Sequence, residues 1–271
     1  MQEDHKPNYK QEVIKFFNSR TAYDSEGDSH PQEAKHLLEY VQVKSGQTIL
    51  DLATGTGLVA IPAAKAAAPG TAIGVDIASG MLAQAQEKIV AQGIRNLELI
   101  EADAELIDFP NEQFDLIFCC SALVYISDIP AMIAKCYRWL KPGGYLAFTT
   151  PNKSSYLADL KVQICQDLFD MDLPHIIRPL WTSKACSLIL GEAGFQNIEI
   201  EQYQFRKYRI DQNYGAGLLA QDFYPRGNPL LNLSQAQQKL LQAEYNKAID
   251  SIITKQGVWQ SAFNFFVKAS K

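Results

Sequence analysis

Asp51, Asp76 and Asp103 each stand where an apolar run of the sequence ends, and the first is followed at once by Gly55-Thr56-Gly57. A carboxylate brings acceptors and negative charge. A glycine pair lets the backbone turn at positive φ and come close to a ligand. A strand that ends in such a turn and opens a helix is a cradle for a nucleotide-like molecule, held by backbone N–H groups and by acids that grip its hydroxyls. The charge around the turn decides which molecule fits.

Two readings compete. Gly55 to Ala60 satisfies GxGxxG/A, and Asp76 lies 21 residues after Gly55, where the ribose-binding acid of a dinucleotide fold would sit. Against this, Asp51 ends the run four residues before Gly55. A carboxylate there repels a pyrophosphate. S-adenosylmethionine has no phosphate; it carries an ammonium and a sulfonium, so an acid at that place attracts it.

The elements that must position these residues alternate. Residues 47–52, 71–76, 96–101, 114–120 and 145–150 are strand candidates, and 57–68, 79–92 and 128–140 carry helical patterns. Ile129, Met132, Ile133, Cys136, Trp139 and Leu140 form one stripe, closed by Pro142-Gly143-Gly144. Strands alternating with helices imply parallel pairing with both faces covered. Residues 182–195 follow as a helix with Thr182 as its cap and Gly194 past its end, then strands at 196–205 and 261–269. Ser234 and Gln237 have capping-box spacing ahead of a stripe of Leu241, Tyr245, Ala248 and Ile252. The expected fold is α/β: a Rossmann-like, seven-stranded, mostly parallel sheet with helices on both faces and helical lid insertions. Residues 1–45 would be a helical cap. Residues 46–205 and 259–271 would be the core. Residues 151–181 and 206–258 would be lid and pocket insertions within the same domain.

Four stretches in order, ILDLATGTG, GVDIASGML, EADAELIDFPNEQFDLIFC and LKPGG, resemble the class I S-adenosylmethionine-dependent methyltransferases. The branch is the one that includes the ubiquinone/menaquinone C-methyltransferases and many small-molecule methyltransferases. The resemblance covers residues 47–150. It implies that Asp51 binds the methionine ammonium and that the backbone at Ala53, Gly55 and Gly57 lines methionine and ribose. Asp76 would take both ribose hydroxyls, and Ile77 would pack on adenine. Asp103 would take the adenine amino group, and Ala104 would donate an N–H to the ring. Ser121 would contact the methionine end through its backbone, and Tyr23 would close over the methionine carboxylate. The product would be S-adenosylhomocysteine.

The acceptor is less legible. A hydroxyl or acidic carbon needs a base, whereas a carboxylate does not. His175 and Tyr125 are the leading candidates, with His30, His36 and Asp222 behind them, and Arg178 could attract an anionic substrate. The turn of amino methyltransferases acting on nucleic-acid bases, (N/D)PP(Y/F), is replaced by CSALVY. Cys119, Cys120 and Cys136 read as core, which weakens arsenite methylation. No YxxxK pair follows strand four, which argues against a nicotinamide-dependent dehydrogenase of that kind. The net charge is −5 with no basic run, which disfavours nucleic acid. Five cysteines without metal spacing and a polar start without an apolar h-region suggest a cytoplasmic protein with no metal and no membrane span. The expected activity is methyl transfer to an O, N or C atom of a moderately hydrophobic small metabolite, quinone-like or secondary, by a monomer or homodimer. The alternatives are a non-catalytic S-adenosylmethionine-binding partner protein or an NAD(P)-dependent oxidoreductase.

Overall fold

A computed structural model describes residues 9–26, 29–210, 223–255 and 257–271. Seven strands form one sheet: β1 (Thr48–Leu52), β2 (Thr71–Asp76), β3 (Leu97–Glu101), β4 (Phe114–Cys119), β5 (Leu140–Pro151), β6 (Gln196–Ile210) and β7 (Val258–Ser270). Their order is β3-β2-β1-β4-β5-β7-β6. The first five pair in parallel, and β7 runs antiparallel to both of its neighbours.

The central strands are apolar on both faces because helices cover both. On one face Ile49, Leu116 and Phe118 meet Ala34 and Leu37 of α2 (Ser29–Val41) and the alanines of α3 (Ala60–Ala67). On the other, Leu50, Leu52 and Ile117 meet Ile129, Ile133 and Trp139 of α5 (Ile129–Trp139) and Leu190 of α7 (Ser183–Glu192). Each fully buried large side chain contributes about 1.5–3 kcal/mol of transfer free energy. The chain steps outward from β1 to β3 and then crosses back to β4. That reversal leaves a crevice at the carboxyl ends of β1 and β4, where ligands bind in such sheets.

Helix α1 (Tyr9–Asn18) lies ahead of this layer, and α4 (Ser79–Ala91) connects β2 to β3. The two excursions pack on each other. Ile164 and Cys165 of α6 (Ala158–Phe169) meet Leu241, Tyr245 and Ile249 of α8 (Gln235–Ile252), together with Tyr224, Leu230 and Leu233. The expected caps form: the Thr182 hydroxyl accepts the Ala185 N–H at 3.1 Å, and Ser234 and Gln237 make a complete capping box.

Three details differ from the sequence reading. Lys141 to Gly144 are not a stop between helix and strand, because β5 begins at Leu140; they bulge out of it, as pairing shifts from Phe114↔Leu140 to Leu116↔Tyr145. Gly143 turns there at φ 77°, and its N–H bonds the Lys271 carbonyl at 3.1 Å. β6 and β7 extend each other, pairing as far as Ile210↔Val258. On α8 the buried stripe is Leu241, Tyr245 and Ile249, whereas Ile252 is exposed.

Candidate active site

The glycine turn follows β1. Ala53, Gly55 and Gly57 take left-handed conformations with φ of 52°, 55° and 79°. For Ala53 this costs of order 1–3 kcal/mol, a strain that collects at functional sites. Asp51 is buried, and its Oδ2 accepts the Thr54 hydroxyl at 2.6 Å. The Gly57 N–H is used by the Thr54 carbonyl at 2.9 Å.

Asp76 ends β2 beside the turn. Its Oδ2 accepts the Gly55 N–H at 2.7 Å and its Oδ1 the Ala78 N–H at 2.8 Å. The donor that would face a pyrophosphate is therefore spent on a carboxylate. Burial pushes the Asp51 carboxyl up to about 7, with the Asp76 charge adding to it and the Thr54 hydroxyl and Ala60 N–H opposing. Burial raises Asp76 as well, against the Ala78, Gly55 and Ile77 N–H groups. Two buried acids at one turn favour a cationic ligand.

The crevice is a cavity of about 1100 Å³, its open mouth included. Asp51, Ala53, Gly55, Asp76 and Ile77 line it from the first two strands. Asp103 and Ala104 line it from the loop after β3, Ser121 and Tyr125 from the loop after β4, and Tyr23 from the N-terminal segment. Two expected site residues are not in the lining. Gly57 packs on Ile61, whose Cδ1 lies 2.9 Å from where a Cβ would stand. His175 is buried in the first excursion, with the Ile177 N–H donating to its Nδ1 at 3.4 Å.

The other candidates separate in the same way. His30 lines the cavity. His36 lies outside its lining, 3.3 Å from Glu201. Arg178 is paired with Asp172 and with the Leu173 carbonyl, and is not in the lining either. Asp222 falls outside the described residues. Cys120 is half-buried and lines the cavity, unlike the fully buried Cys119 and Cys136; burial pushes its thiol well up.

Two features were missed in the sequence. The first is the part α1 plays in the expected cap: its Tyr9, Val13 and Phe17, spaced by four, line the cavity with Lys10. Lys10 pairs with Asp103 and, at 2.7 Å, with Glu105. The Tyr9 hydroxyl donates to the Tyr125 carbonyl at 2.7 Å. The second is Glu33, buried on α2. Its Oε2 accepts the Ser121 hydroxyl at 2.6 Å and its Oε1 the Asn264 amide at 2.8 Å. Its place one turn before Leu37, on the buried face, was the available signal.

Residues 49–144 match the family model of the methyltransferase domain. Over 146 residues the chain is 32% identical to the aklanonic acid methyltransferase DauC of Streptomyces sp. (strain C5), covering 53% of this chain and 66% of that one. The chain belongs to the S-adenosylmethionine-dependent methyltransferases. Over 249 residues this methyltransferase is 26% identical to the malonyl-[acyl-carrier protein] O-methyltransferase of Marinomonas sp. (strain MWYL1), covering 88% of this chain and 87% of that one. Its fold matches that of a putative methyltransferase from Bacillus halodurans C-125 at a TM-score of 0.59 and 20% identity, covering 89% of this chain and 99% of that one. Its cofactor is S-adenosylmethionine, and the spent Gly55 N–H and the acids at the turn fit that cation. Among the described residues no helix is long and apolar enough to cross a membrane, and no group of three or more His, Cys, Asp or Glu could hold a metal ion.

Proposed function

We propose that this methyltransferase transfers the methyl group to an O, N or C atom of a moderately hydrophobic small molecule. One observation carries the reading. Buried Asp51 and Asp76 open onto the same cavity as Val13, Phe17, Tyr125 and Ile126, so a cation-binding wall adjoins an apolar and aromatic one. The relatives' named acceptors, aklanonic acid and malonyl-[acyl-carrier protein], support an organic acceptor rather than nucleic acid. Five free thiols suit a reducing cytoplasm, and a monomer or homodimer would suffice.

The bound cofactor supplies an electrophilic methyl on a sulfonium whose departure leaves a neutral thioether. The chain's own task is binding and alignment. Asp51 holds the ammonium, and the backbone at Ala53 and Gly55 approaches methionine and ribose. Asp76 keeps lone pairs for the ribose hydroxyls after accepting its two N–H groups. Ile77 flanks adenine, and Asp103 with the Ala104 N–H marks its edge. The Ser121 N–H is already given to Thr149 Oγ1 at 2.8 Å, which leaves its carbonyl for the methionine end. Tyr23 closes that end. The described parts of the cap (9–26 and 29–45) and of the excursions (151–181 and 223–255) act as cap and lids of a single domain, keeping water from the line of transfer.

Calorimetric titration with S-adenosylhomocysteine, with NADH as control, tests this. Micromolar binding that Asp76→Ala abolishes is expected. Tight NADH binding with none of S-adenosylhomocysteine would overturn it.

A further inference from the structure

The cavity holds one histidine among its described lining residues, and a buried carboxylate stands behind it. His30 on α2 lines the cavity, and its side chain is 35% exposed. Its ring stacks on Tyr23 at 5.0 Å and 19°. Its Nδ1 lies 4.0 Å from Glu33 Oε2, three residues along the same helix. Glu33 is only 2% exposed and does not line the cavity. Both its oxygens are fixed, by Ser121 and by Asn264, and Ser121 is itself held at φ 55°.

Burial raises the Glu33 carboxyl, opposed by hydrogen bonds from Ser121, Thr149 and Asn264, so its ionised form gains from a cation nearby. The side chains that hydrogen-bond Glu33, those of Ser121, Thr149 and Asn264, are neutral, whereas the His30 imidazole 4.0 Å away can carry a charge. Four other cavity groups are less suited to take a proton. Burial pushes the Tyr23 phenol and the Cys120 thiol up, so both stay protonated. Glu105 is drawn down, because Lys10 and the Asp128 and Ser127 N–H groups outweigh its burial. Asp51 faces the turn and is held by Thr54.

We propose that His30 is the general base of the transfer and that Glu33 is its positioning residue. This rests on the methyltransferase reading and narrows its substrate class to acceptors that lose a proton, such as a phenol, an enol or an acidic carbon. The acceptor X–H bond breaks and its proton goes to Nε2, since Nδ1 faces Glu33. The electron pair left on X forms the bond to the methyl carbon, and the pair of the broken C–S bond stays on sulfur. The imidazolium lies 4.0 Å from Glu33 on α2 and stacks on the Tyr23 ring, whose centroid is 4.3 Å from the Arg20 guanidinium. It then returns its proton to solvent.

The test uses 2-naphthol and 2-naphthoate as probe acceptors with labelled S-adenosylmethionine. One probe must lose a proton near neutral pH and the other has already lost it. Wild type is expected to methylate the naphthol, and His30→Gln to do so about 100-fold more slowly, with S-adenosylhomocysteine binding retained. NMR of the His30 ring is expected to show its titration midpoint falling in Glu33→Gln, since a lost neighbouring charge disfavours the imidazolium. Transfer to naphthoate alone, no transfer to the naphthol by wild type, undiminished transfer by His30→Gln, or an unmoved midpoint overturns the proposal. Failure of wild type to bind S-adenosylhomocysteine strikes the methyltransferase reading instead.

Discussion

Lys10, on the first helix, sets its ammonium 2.7 Å from the Glu105 carboxylate beyond β3, and its second partner is Asp103. The contact joins elements that the sheet does not. It draws α1 over the cavity at the place assigned to adenine. Burial pulls the Lys10 ammonium down, but the two carboxylates outweigh it and hold it above its ordinary value.

Lys10→Met is therefore expected to speed S-adenosylhomocysteine release about two- to fivefold, the worth of one partly exposed ion pair. Stopped-flow displacement measures it. Added salt should accelerate release from wild type and leave the variant nearly unaffected. Equal salt dependence in both would remove the latch from the account.

Cofactor binding should depend on pH through Asp51. Its carboxyl sits at about 7, raised first by burial. An ammonium partner binds only the ionised form. Affinity for S-adenosylhomocysteine is expected to rise as pH goes from 6 to 8 and then level off, by at most about tenfold per unit. Asp51→Asn should bind more weakly with a flatter profile. Calorimetry across that range decides it, and a flat wild-type profile would rule Asp51 out as the titrating group.

The same burial costs stability in the protein alone. A carboxyl raised in the folded state favours folding at low pH, and this contribution is lost as pH rises from its ordinary 3.8 through about 7. Asp51→Asn keeps an acceptor for the Thr54 hydroxyl and removes the charge. It is expected to unfold several degrees higher than wild type at pH 8, with the difference shrinking toward pH 4. The underlying term is on the order of a few kcal/mol. A melting difference independent of pH would show that charge burial is not its source.

The sheet was legible because buried parallel strands are continuous apolar runs and their helices carry clear stripes; Ile49 to Leu52 and Ile129 to Trp139 are the clearest. Lys141 to Gly144 misled because a proline-glycine-glycine sequence suits a bulge as well as a stop. Asp51, Asp76 and Asp103 were readable since strand ends fix where their side chains emerge. Glu33 was not, because a glutamate in a polar helix reads as solvated until its partners arrive from far along the chain, Ser121 from the loop after β4 and Asn264 from β7. His175 shows the converse: an apolar neighbourhood suggested a pocket wall, and the first excursion buried it instead.

The two glycines of the turn should fail differently. Both have positive φ, so alanine at either costs about 1–2 kcal/mol of backbone strain. At Gly57 the new methyl would stand 2.9 Å from Ile61 Cδ1 and 3.5 Å from Ala85 Cβ, so overpacking adds about 1–3 kcal/mol. At Gly55 nothing lies within 4 Å, and the methyl enters the cavity where close backbone approach is needed. Gly57→Ala is thus expected to lower the melting temperature more, while the fraction that remains folded still binds S-adenosylhomocysteine. Gly55→Ala is expected to melt closer to wild type and to bind at least about tenfold more weakly, as for a lost close contact of roughly 1.4 kcal/mol. Thermal melts and titrations on both variants separate the two effects. If Gly55→Ala binds like wild type, the ligand does not approach the turn at that residue.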